Sequence, residues 1–392
     1  MKIDDKTSHN SPSLRFPEFT GEWKNTTLEE CVDFLDGQRK PIKSDDRKGE
    51  KRLYPYYGAS GIIDYIDEYI FDGDYILLSE DGANIIDRNY RVAFIANGKI
   101  WVNNHAHVLQ PHKEMNINFL SEALERINYA IYNTGTTMPK LNQEICRKIN
   151  LNVPSLSEQN KIGNLLYLLN ERIATQNRLI DRLQSLMIGL NNSLYEQYGN
   201  DITTSFMELG YSYSGLSGKS AKDFGSGKPF ITYLNVYSNI IVDETDYRYV
   251  RINDGEKQNI VRTGDVLFTL SSETPEEVGI GSVYLGEKEV YLNSFCFGIH
   301  IERNQLAYSP YLSYYVTSTA FRKFIYPFAQ GSTRFNLCKA DFEKASIKLP
   351  SLDNQKRISA MLDCIAEKIQ AEKAILEYYN IQRQYLLRQM FI

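Results

Sequence analysis

The stretch Gly-Thr-Thr-Met-Pro-Lys-Leu (residues 135–141), followed by Pro-Ser-Leu-Ser-Glu-Gln (154–159), occurs twice in this chain. The second copy reads Gly-Ser-Thr-Arg-Phe-Asn-Leu (331–337) and then Pro-Ser-Leu-Asp-Asn-Gln (350–355), at a constant offset of 196 residues. A fixed offset indicates one unit used twice, and this period is far longer than that of a solenoid repeat. The sequence therefore predicts two halves, each a domain followed by a helix.

A long helix is predicted after each copy. Pro154 and Pro350 end whatever precedes them, because proline lacks a backbone donor and restricts its neighbour. Ser155 and Glu158 have the spacing of a capping box, in which each side chain satisfies a free amide at the helix start. The second copy carries a weaker version of this cap, with serine and asparagine at the same two positions.

Both predicted helices carry a seven-residue apolar repeat, which is typical of a coiled-coil seam. The seam residues are Ile162, Leu166, Leu169, Ile173, Ile180 and Leu183 in the first helix, and Ile358, Leu362, Ile365, Ile369 and Leu376 in the second. Neither helix can bury its stripe alone, so we expect the two helices to pair, with Gln176 and Glu372 as polar register positions. Each helix has roughly 40 residues, or about 60 Å. The simpler alternative is that both helices belong to the core of a bundle.

Composition predicts a cytoplasmic protein with two or three domains. The chain has 392 residues, 42% of them hydrophobic, 24% charged and five of them cysteine. The odd cysteine count fits a reduced compartment, the polar start is no signal peptide, and no apolar run is long enough to span a membrane. We therefore expect no membrane partner.

The net charge and the local charge of the chain point in different directions on nucleic-acid binding. The net charge of −5 argues against a purely electrostatic nucleic-acid binder. The run 39–52 is locally basic, and at this point a solvated loop and a phosphate-facing loop are equally good interpretations of it.

Short strands and turns dominate both halves outside the helices. Asp72-Gly73-Asp74 lies between two apolar runs and predicts a turn, and Asn97-Gly98 predicts a two-residue hairpin. Helices are expected over 116–132 and 310–326. The second half repeats this layout coarsely, with 262–268 echoing the first turn region and 290–293 echoing 100–103.

A search for catalytic motifs is mostly negative. Residues 215–220 resemble the end of a phosphate-binding loop, but Tyr213 stands where the motif needs glycine. His105, His107 and His112 lie close in sequence without carboxylate or cysteine companions at ligand spacing, which favours packing or base contact over a metal site. The sequence has no Gly-x-Ser-x-Gly elbow and no Asn-Pro-Pro-aromatic motif.

The chain resembles the specificity subunit of a type I restriction–modification system. The resemblance rests on Arg-Phe-Pro-Glu-Phe (15–19), Tyr-Gly-Ala-Ser-Gly (57–61) with Asp-Gly-Asp-Tyr (72–75), the segment 135–141, and the twice-used Pro-x-Leu-x-x-Gln. It implies an α+β fold with two pseudo-symmetric mixed α/β target-recognition domains, separated by two long antiparallel coiled-coil helices. The implied bounds are 14–154 and 199–350 for the recognition domains, and 155–198 and 351–392 for the spacer helices.

The resemblance also implies a function. Each recognition domain would read one half of a bipartite asymmetric site in double-stranded DNA, and the helices would set the gap and dock methyltransferase subunits, expected to be two. S-adenosylmethionine and ATP would belong to the methyltransferase and restriction subunits, so this chain would hold no cofactor or metal and catalyse nothing. The alternative is a non-catalytic scaffold or adaptor that binds protein partners through paired helices.

Candidate DNA-binding residues follow from the side chains that suit base edges in the major groove. In the first half they are Arg39, Lys40, Tyr57, Ser60, Asn84, Arg88, Arg91, Thr136, Thr137 and Lys140. In the second half they are Lys219, Tyr233, Asn235, Ser271, Ser272, Thr333, Arg334 and Asn336.

Overall fold

The structure of the chain, a computed structural model, describes residues 11–47 and 50–392. The chain divides into two compact units. The first unit comprises the chain up to Asn177 together with Ala374–Ile392, and the second unit comprises Arg178–Lys373. Each unit therefore includes part of both long helices.

The first unit is built on a six-stranded sheet in the order β2-β7-β5-β6-β3-β4, beside a two-stranded β1-β8 pair. The strands are β1 Lys24–Thr27, β2 Val32–Phe34, β3 Tyr54–Gly58, β4 Gly61–Ile66, β5 Phe71–Ser79, β6 Ala93–Val102, β7 Ala106–Pro111 and β8 Asn150–Val153. Its short helices are α1 Asn84–Asp87, α2 Ile117–Glu125 and α3 Gln143–Arg147, and the long helix α4 Leu156–Tyr198 follows.

The second unit distributes its strands among four smaller sheets, in the orders β10-β17-β13-β15, β12-β11-β16, β14-β19-β18 and β9-β20. Its first strands are β9 Ile202–Thr204, β10 Gly210–Ser214, β11 Phe224–Ile231, β12 Tyr247–Val250, β13 Val266–Thr269, β14 Ser271–Ser272 and β15 Gly281–Val283. The others are β16 Tyr291–Leu292, β17 Cys296–Ile301, β18 Ala329–Gln330, β19 Phe335–Leu337 and β20 Ile347–Leu349. The helices are α5 Phe206–Leu209, α6 Tyr233–Ser238, α7 Ser309–Tyr315, α8 Thr319–Ile325, α9 Lys339–Lys344 and the long α10 Leu352–Gln389.

Strand pairing shows that the two units share one scaffold. The antiparallel partner of Ile76 is Leu109, and that of Val266, 190 residues after Ile76, is Ile299, 190 residues after Leu109. Each unit also contains one parallel pair, β3 with β6 and β11 with β16. The predicted fold class, two similar mixed domains with two long helices, is confirmed.

Two predicted turns are wrong. Asp72-Gly73-Asp74 lies inside the continuous strand β5, and Asn97-Gly98 lies inside β6, because the two segments face each other across one long antiparallel pair. Gly73 pairs with Gly98, and both have positive φ angles, which glycine adopts at little cost. Asn97 donates to the Asp74 carboxylate at 2.8 Å, so this pair of turn-like sequences ties two strands together instead.

The two predicted mid-domain helices exist but are shorter. The predicted helix over 116–132 is α2, which ends at Glu125 and is followed by a 3-10 turn over Tyr129–Tyr132. The predicted helix over 310–326 is divided into α7 and α8. Ser318 caps the start of α8 by accepting a hydrogen bond from the Phe321 amide, which marks the break.

The predicted seam residues are buried or half-buried, but the first turns of each long helix pack into a domain core. Ile162 and Leu166 lie in the apolar core of the first unit, together with Leu387 and Phe391 from the end of the chain. In the second unit, Ile358 and Leu362 lie in the corresponding core. Further along each helix the seam residues are slightly more exposed. Leu169, Ile180 and Ile369 are 5–7% exposed, and the other later seam residues are half-buried.

Within the first unit, the segments of α4 and α10 run antiparallel. The Arg172 guanidinium lies 3.3 Å from the Tyr379 hydroxyl, and the Arg383 side chain donates to Asn170 Oδ1 at 2.7 Å. Residue numbers fall along one helix as they rise along the other, which defines an antiparallel pair.

The predicted capping box at the start of α4 is only half formed. Ser155 Oγ accepts from the Glu158 amide at 3.4 Å, but the Glu158 carboxylate turns to Arg15 at 2.7 Å and to the Trp23 indole at 3.3 Å. The lead-in segment therefore takes the carboxylate that a capping box would use. At the start of α10, Asp201 takes over the capping role by accepting from the Ser351 amide at 2.9 Å.

The glutamine of the repeated motif anchors each long helix to its domain. The buried Gln159 accepts from the Asn116 amide at 2.9 Å and donates to the carbonyl oxygens of Glu114 and Pro154. Gln355, also buried, makes the equivalent three bonds in the second unit. Three backbone groups in each unit thus depend on one side chain, which explains why both copies of the motif contain glutamine.

Replacing Gln159 with alanine should lower the free energy of unfolding of the first unit by about 2 kcal/mol, because buried backbone groups lose their partners. Urea denaturation followed by tryptophan fluorescence is the measurement, since Trp23 and Trp101, the only tryptophans in the chain, both belong to the first unit. The matched control is Gln355→Ala, which should leave the tryptophan transition in place. Equal shifts in both variants would contradict separate anchors.

Candidate nucleic-acid interface

A tight turn precedes each long helix and presents the candidate surface. A Cβ atom added to Gly135 would lie 1.8 Å from the carbonyl oxygen of Met138, and one added to Gly331 would lie 2.1 Å from that of Arg334. Only glycine fits such a close approach of backbone to backbone. The repeated glycine therefore closes the same turn in both units and leaves the side chains at its tip exposed.

A groove of about 720 Å³ in the second unit brings together five of the predicted DNA-binding residues. They are Tyr233, Ser271, Ser272, Thr333 and Arg334. The lining is completed by Leu234, Tyr237, Glu273, Glu277 and Phe295. These residues come from four separate stretches of the chain, so the fold rather than the sequence assembles the groove.

Hydrogen bonds fix one wall of this groove. The Tyr233 hydroxyl donates to the Ser271 carbonyl at 2.8 Å, and the Tyr233 ring stacks on Tyr237 at 6.0 Å. Tyr237 and Ser272 both donate to the Glu277 carboxylate, at 2.9 and 3.0 Å. The hydrogen bonds from Tyr237 and then Ser272 lower the pKa of Glu277, so the wall holds a fixed negative charge at neutral pH.

The other wall combines a cation with an exposed ring. Phe295 is 56% exposed, and the Arg334 guanidinium lies 5.9 Å from the centroid of its ring. Arginine donors suit guanine, a carboxylate suits an exocyclic amino group, and an apolar ring suits the thymine methyl group. This groove therefore offers the three kinds of contact that distinguish base pairs in the major groove.

The first unit has the same backbone arrangement with different side chains. Asp81 pairs with Lys140 as Ser271 pairs with Asn336 in the second unit. The His105 imidazole lies 2.8 and 2.9 Å from the two oxygens of the Asp81 carboxylate. This corner is polar and charged, whereas its counterpart in the second unit is aromatic.

Arg39 and Lys219 are engaged inside their own domains. The Arg39 side chain is 13% exposed and donates to Glu80 and to the Ala106 carbonyl, both at 2.7 Å. Glu80 also forms an ion pair with Lys140 at 3.5 Å, so one carboxylate contacts two of the candidate DNA-binding residues. Lys219 is 6% exposed and donates to Glu256 and to the carbonyl of Arg251. Neither cation is free for a base in this structure.

Asn235 and Asn84 hold turns together. Asn235 is fully buried, and its amide donates to the carbonyls of Asp243 and Asp246 while accepting from the Asp243 amide. Asn84 bonds in both directions to the backbone of Tyr90. Both side chains use their donors and acceptors locally, which is common for asparagine in loops.

Arg88 and Arg91 pack against the helix α2. Arg88, at a positive φ angle, donates to the carbonyl and the carboxylate of Glu125. Arg91 donates to Glu122 at 2.7 Å. Tyr57 is half-buried and stacks on Phe94 at 6.1 Å. These three residues therefore stabilise the first domain and have little reach beyond it.

The remaining candidates are exposed side chains. They are Lys40, Ser60, Thr136, Thr137, Lys140, Thr333, Arg334 and Asn336. Ser60 follows Ala59, whose carbonyl accepts from Ser79 at the end of β5, so this loop is held beside the polar corner of the first unit. Their role in DNA binding stays a prediction.

Residue-type reasoning overlooked Phe295, because phenylalanine is not a typical base-reading residue. The polar stretch that contains Asp81 follows a strand, where such a stretch is usually just a turn but can also reach a base edge in a recognition domain. A useful signal was available, since Asn103 and Asn293 mark the same position in both units, two residues before His105 and Phe295. Aligning the units on these asparagines places Phe295 at the position of His105.

No group of three or more metal-ligating side chains occurs within residues 11–47 and 50–392. His107 is buried against Asp36 and is not a ligand candidate with His105, whose ring faces Asp81. Over the same described ranges, no helix is both long and apolar enough to cross a membrane.

Two similar domains, each followed by a long helix and each carrying a surface of different polar and aromatic tips, define a duplicated recognition protein. The chain belongs to the family described as type I restriction modification DNA specificity domain, whose model matches residues 20–185 and 216–378. The match falls once in each half, so the resemblance inferred from the repeated motif is confirmed. The chain is a DNA-recognition subunit of this type, and the scaffold alternative is not favoured.

Relatives match over most of their length. A putative type I restriction enzyme specificity subunit of Haemophilus influenzae is 26% identical over 364 residues, which cover 87% of this chain and 86% of that protein. A putative type I specificity subunit of Mycoplasma pneumoniae is 25% identical over 378 residues, covering 89% and 94%. The crystal structure of an S subunit of a type I restriction–modification system from M. genitalium aligns with a TM-score of 0.61 at 16% identity, covering 97% and 99%, and supports the fold.

Proposed function

We propose that each domain reads one half of a bipartite, asymmetric sequence in double-stranded DNA. The recognition domains are assigned to residues 14–154 and 199–350. The observation that carries this proposal is the shared scaffold with unlike tips: strand pairing and glycine turns are the same in both units, but the exposed side chains at equivalent positions differ. One scaffold that presents two different surfaces suits two different short targets.

The reading residues we assign are exposed or line the groove. In the second domain Arg334, Thr333 and Asn336 are exposed, and the groove adds the half-buried Tyr233 and the buried Ser271 and Ser272. In the first domain they are Lys40, Ser60, Thr136, Thr137 and Lys140. Phosphate contacts from other basic residues would position the protein without reading sequence. A net charge of −5 is compatible with this role if partner subunits enclose the DNA.

The long helices would set the gap between the half-sites and dock the partners, which we propose are two methyltransferase subunits and the restriction subunits. An apolar stripe on α10 supports a docking role: Ile375, Tyr378, Ile381 and Tyr385 recur at helical spacing and are exposed. In this proposal the chain catalyses nothing. S-adenosylmethionine and ATP bind the partner subunits, and the chain itself holds no cofactor.

Replacing Arg334 with alanine should weaken specific DNA binding by about 1–3 kcal/mol and relax the preference at one base pair. The side chain is exposed and its guanidinium lies near the ring of Phe295, itself an exposed residue, so folding should be unaffected. The measurement is a gel-shift titration of the complex with methyltransferase subunits. It uses one duplex that carries the preferred bipartite sequence and one scrambled duplex.

The matched control is Arg248→Ala, another exposed arginine of the second unit that lies on β12 outside the groove. It should change binding to both duplexes equally, if at all, because a phosphate contact does not depend on sequence. A wild-type complex that binds the two duplexes equally would refute the proposed function.

A further inference from the structure

Two equivalent positions, one in each domain, share the same backbone hydrogen bonds but carry different side chains, the polar His105 and the apolar Phe295. His105 and Phe295 each come two residues after an asparagine whose side chain accepts from their own amide, at 2.8 Å in the first unit and 2.9 Å in the second. In each case the next residue begins a strand, β7 or β17. The two positions are therefore equivalent by hydrogen bonding as well as by sequence order.

Two further backbone bonds fix this frame. The carbonyl of His105 accepts from the Glu80 amide at 2.8 Å, and the carbonyl of Phe295 accepts from the Leu270 amide at 2.9 Å. The asparagine amides bond in turn to the strands β3 and β11, at 3.1 and 2.9 Å. The tip residue contributes only its backbone groups to this frame, so its side chain can change without removing any of these bonds.

Both tips are exposed and stand beside other candidate reading residues. The His105 side chain is 48% exposed and Phe295 is 56% exposed. The exposure of Phe295 is notable because burial of a large apolar side chain stabilises a protein. Phe295 lines the groove with Arg334, and His105 lies on the carboxylate of Asp81. Phe295 shares its groove with Leu234, which is 67% exposed, and neighbouring exposed apolar side chains are typical of an interaction site.

We propose that His105 and Phe295 are equivalent specificity-determining residues, each of which reads one base pair of its half-site. Phe295 contacts the methyl group of a thymine, the apolar feature of the major groove. His105 donates from Nδ1 to Asp81, which orients the ring so that Nε2 hydrogen-bonds a base edge. This inference rests on the proposed function, because it assumes that both domains bind DNA.

The test compares base preferences of wild-type and variant complexes. The full chain, assembled with methyltransferase subunits, is used to select from a pool of random-sequence duplexes, and the selected sequences give a preference at each position of both half-sites. His105→Phe should reduce the preference at one position of one half-site roughly tenfold. Phe295→His should do the same at one position of the other half-site, and Phe295→Leu should retain the preference for thymine.

The controls are His112→Phe in the first unit and Tyr249→His in the second. His112 lies at the far end of β7 from His105, and Tyr249 is an exposed aromatic residue on β12. Both control variants should leave all preferences unchanged. Thermal unfolding of each variant excludes a folding defect, and His105→Asn replaces His105→Phe if the latter is unstable.

The outcomes separate the two proposals. If the wild-type complex selects a bipartite sequence and the tip variants select the same sequence with the same preferences, the tip residues do not read bases and this inference is wrong. If the wild-type complex selects no sequence at all, the proposed function itself fails.

Discussion

Replacement of Glu122 with leucine should lower the free energy of unfolding of the first unit by about 3–4 kcal/mol. Glu122 lies on α2 and is 3% exposed. Its carboxylate accepts from Arg91 at 2.7 Å and from Arg383 at 2.8 Å, and also from the Asn170 side chain at 2.8 Å. One carboxylate therefore connects the domain with both long-helix segments of the first unit.

The cost arises from the cations left behind. Leucine has a similar size but accepts no hydrogen bond, so two guanidinium groups lose their counter-charge. Arg383 is 17% exposed and Arg91 is 34% exposed, so water screens Arg91 better and the loss comes mainly from Arg383. This is why we expect the lower part of the range observed when a buried pair loses one partner.

Tryptophan fluorescence during urea denaturation measures this effect, because both tryptophans belong to the first unit. The matched control is Tyr314→Phe, on the corresponding helix of the second unit, where Tyr314 donates to Asp363 at 2.6 Å. That variant should leave the tryptophan transition unchanged. A Glu122→Leu protein with wild-type stability would mean that the cluster contributes no net stabilisation.

The sequence was most informative where one chemical requirement is met twice. The repeated proline, glycine and glutamine each correspond to a defined contact: Gln159 and Gln355 make the same three bonds, and Gly135 and Gly331 close the same turn. A repeat reveals such requirements without an alignment of homologues, because the two copies within one chain can be compared and the residues present in both stand out.

The sequence was misleading where local signals depend on a distant partner. Asn97-Gly98 has the composition of a hairpin, but Gly73 faces it across the sheet, and the pair continues through both strands. Arg39 stays a predicted DNA contact, but residue type did not reveal that its guanidinium donates to Glu80, 41 residues away in the chain. Neither partner could be identified from residue type, since both depend on the register of strands far apart in sequence.

The candidate groove was also beyond local reasoning. Five of its residues were proposed individually as base-edge contacts, yet their convergence with Phe295 depends on four stretches of the chain that meet only after folding. The bare spacing of Asn103 and Asn293 was visible, but its meaning required the hydrogen bonds of the frame. A site assembled from distant segments is generally harder to predict from sequence than a single helix or strand, because it depends on the tertiary fold.

Raising the pH from about 6.5 to about 10 should destabilise the first unit through His107, by on the order of a few kcal/mol in total. His107 is 1% exposed, and its two ring nitrogens lie 2.6 Å from the Asp36 carboxylate and 2.9 Å from the carbonyl oxygen of Leu141. Both neighbours are acceptors, so both nitrogens must carry protons. The buried imidazole is therefore the imidazolium cation.

The direction of the effect follows from the shifted pKa. Burial lowers the pKa of His107, but the hydrogen bonds to Asp36 and Cys146 outweigh it and raise this pKa to about 10. In the unfolded chain the ordinary value is about 6.5. The stabilisation is complete below pH 6.5 and disappears as the pH rises through the folded-state pKa, with a maximum slope of about 1.4 kcal/mol per pH unit for one proton.

The comparison of wild type with His107→Gln isolates this contribution, because glutamine can donate to one neighbour but takes up no proton. Unfolding free energies from tryptophan fluorescence should be lower for the variant at pH 6.5, and the difference should shrink steadily toward pH 10. Other cysteine, tyrosine and lysine titrations also change stability in this range, and those of groups that do not interact with His107 cancel in the difference. Cys146 interacts with His107, so its titration belongs to the contribution that is measured. Parallel curves for the two proteins would show that His107 is neutral in the folded state, and that one of its two hydrogen bonds is absent.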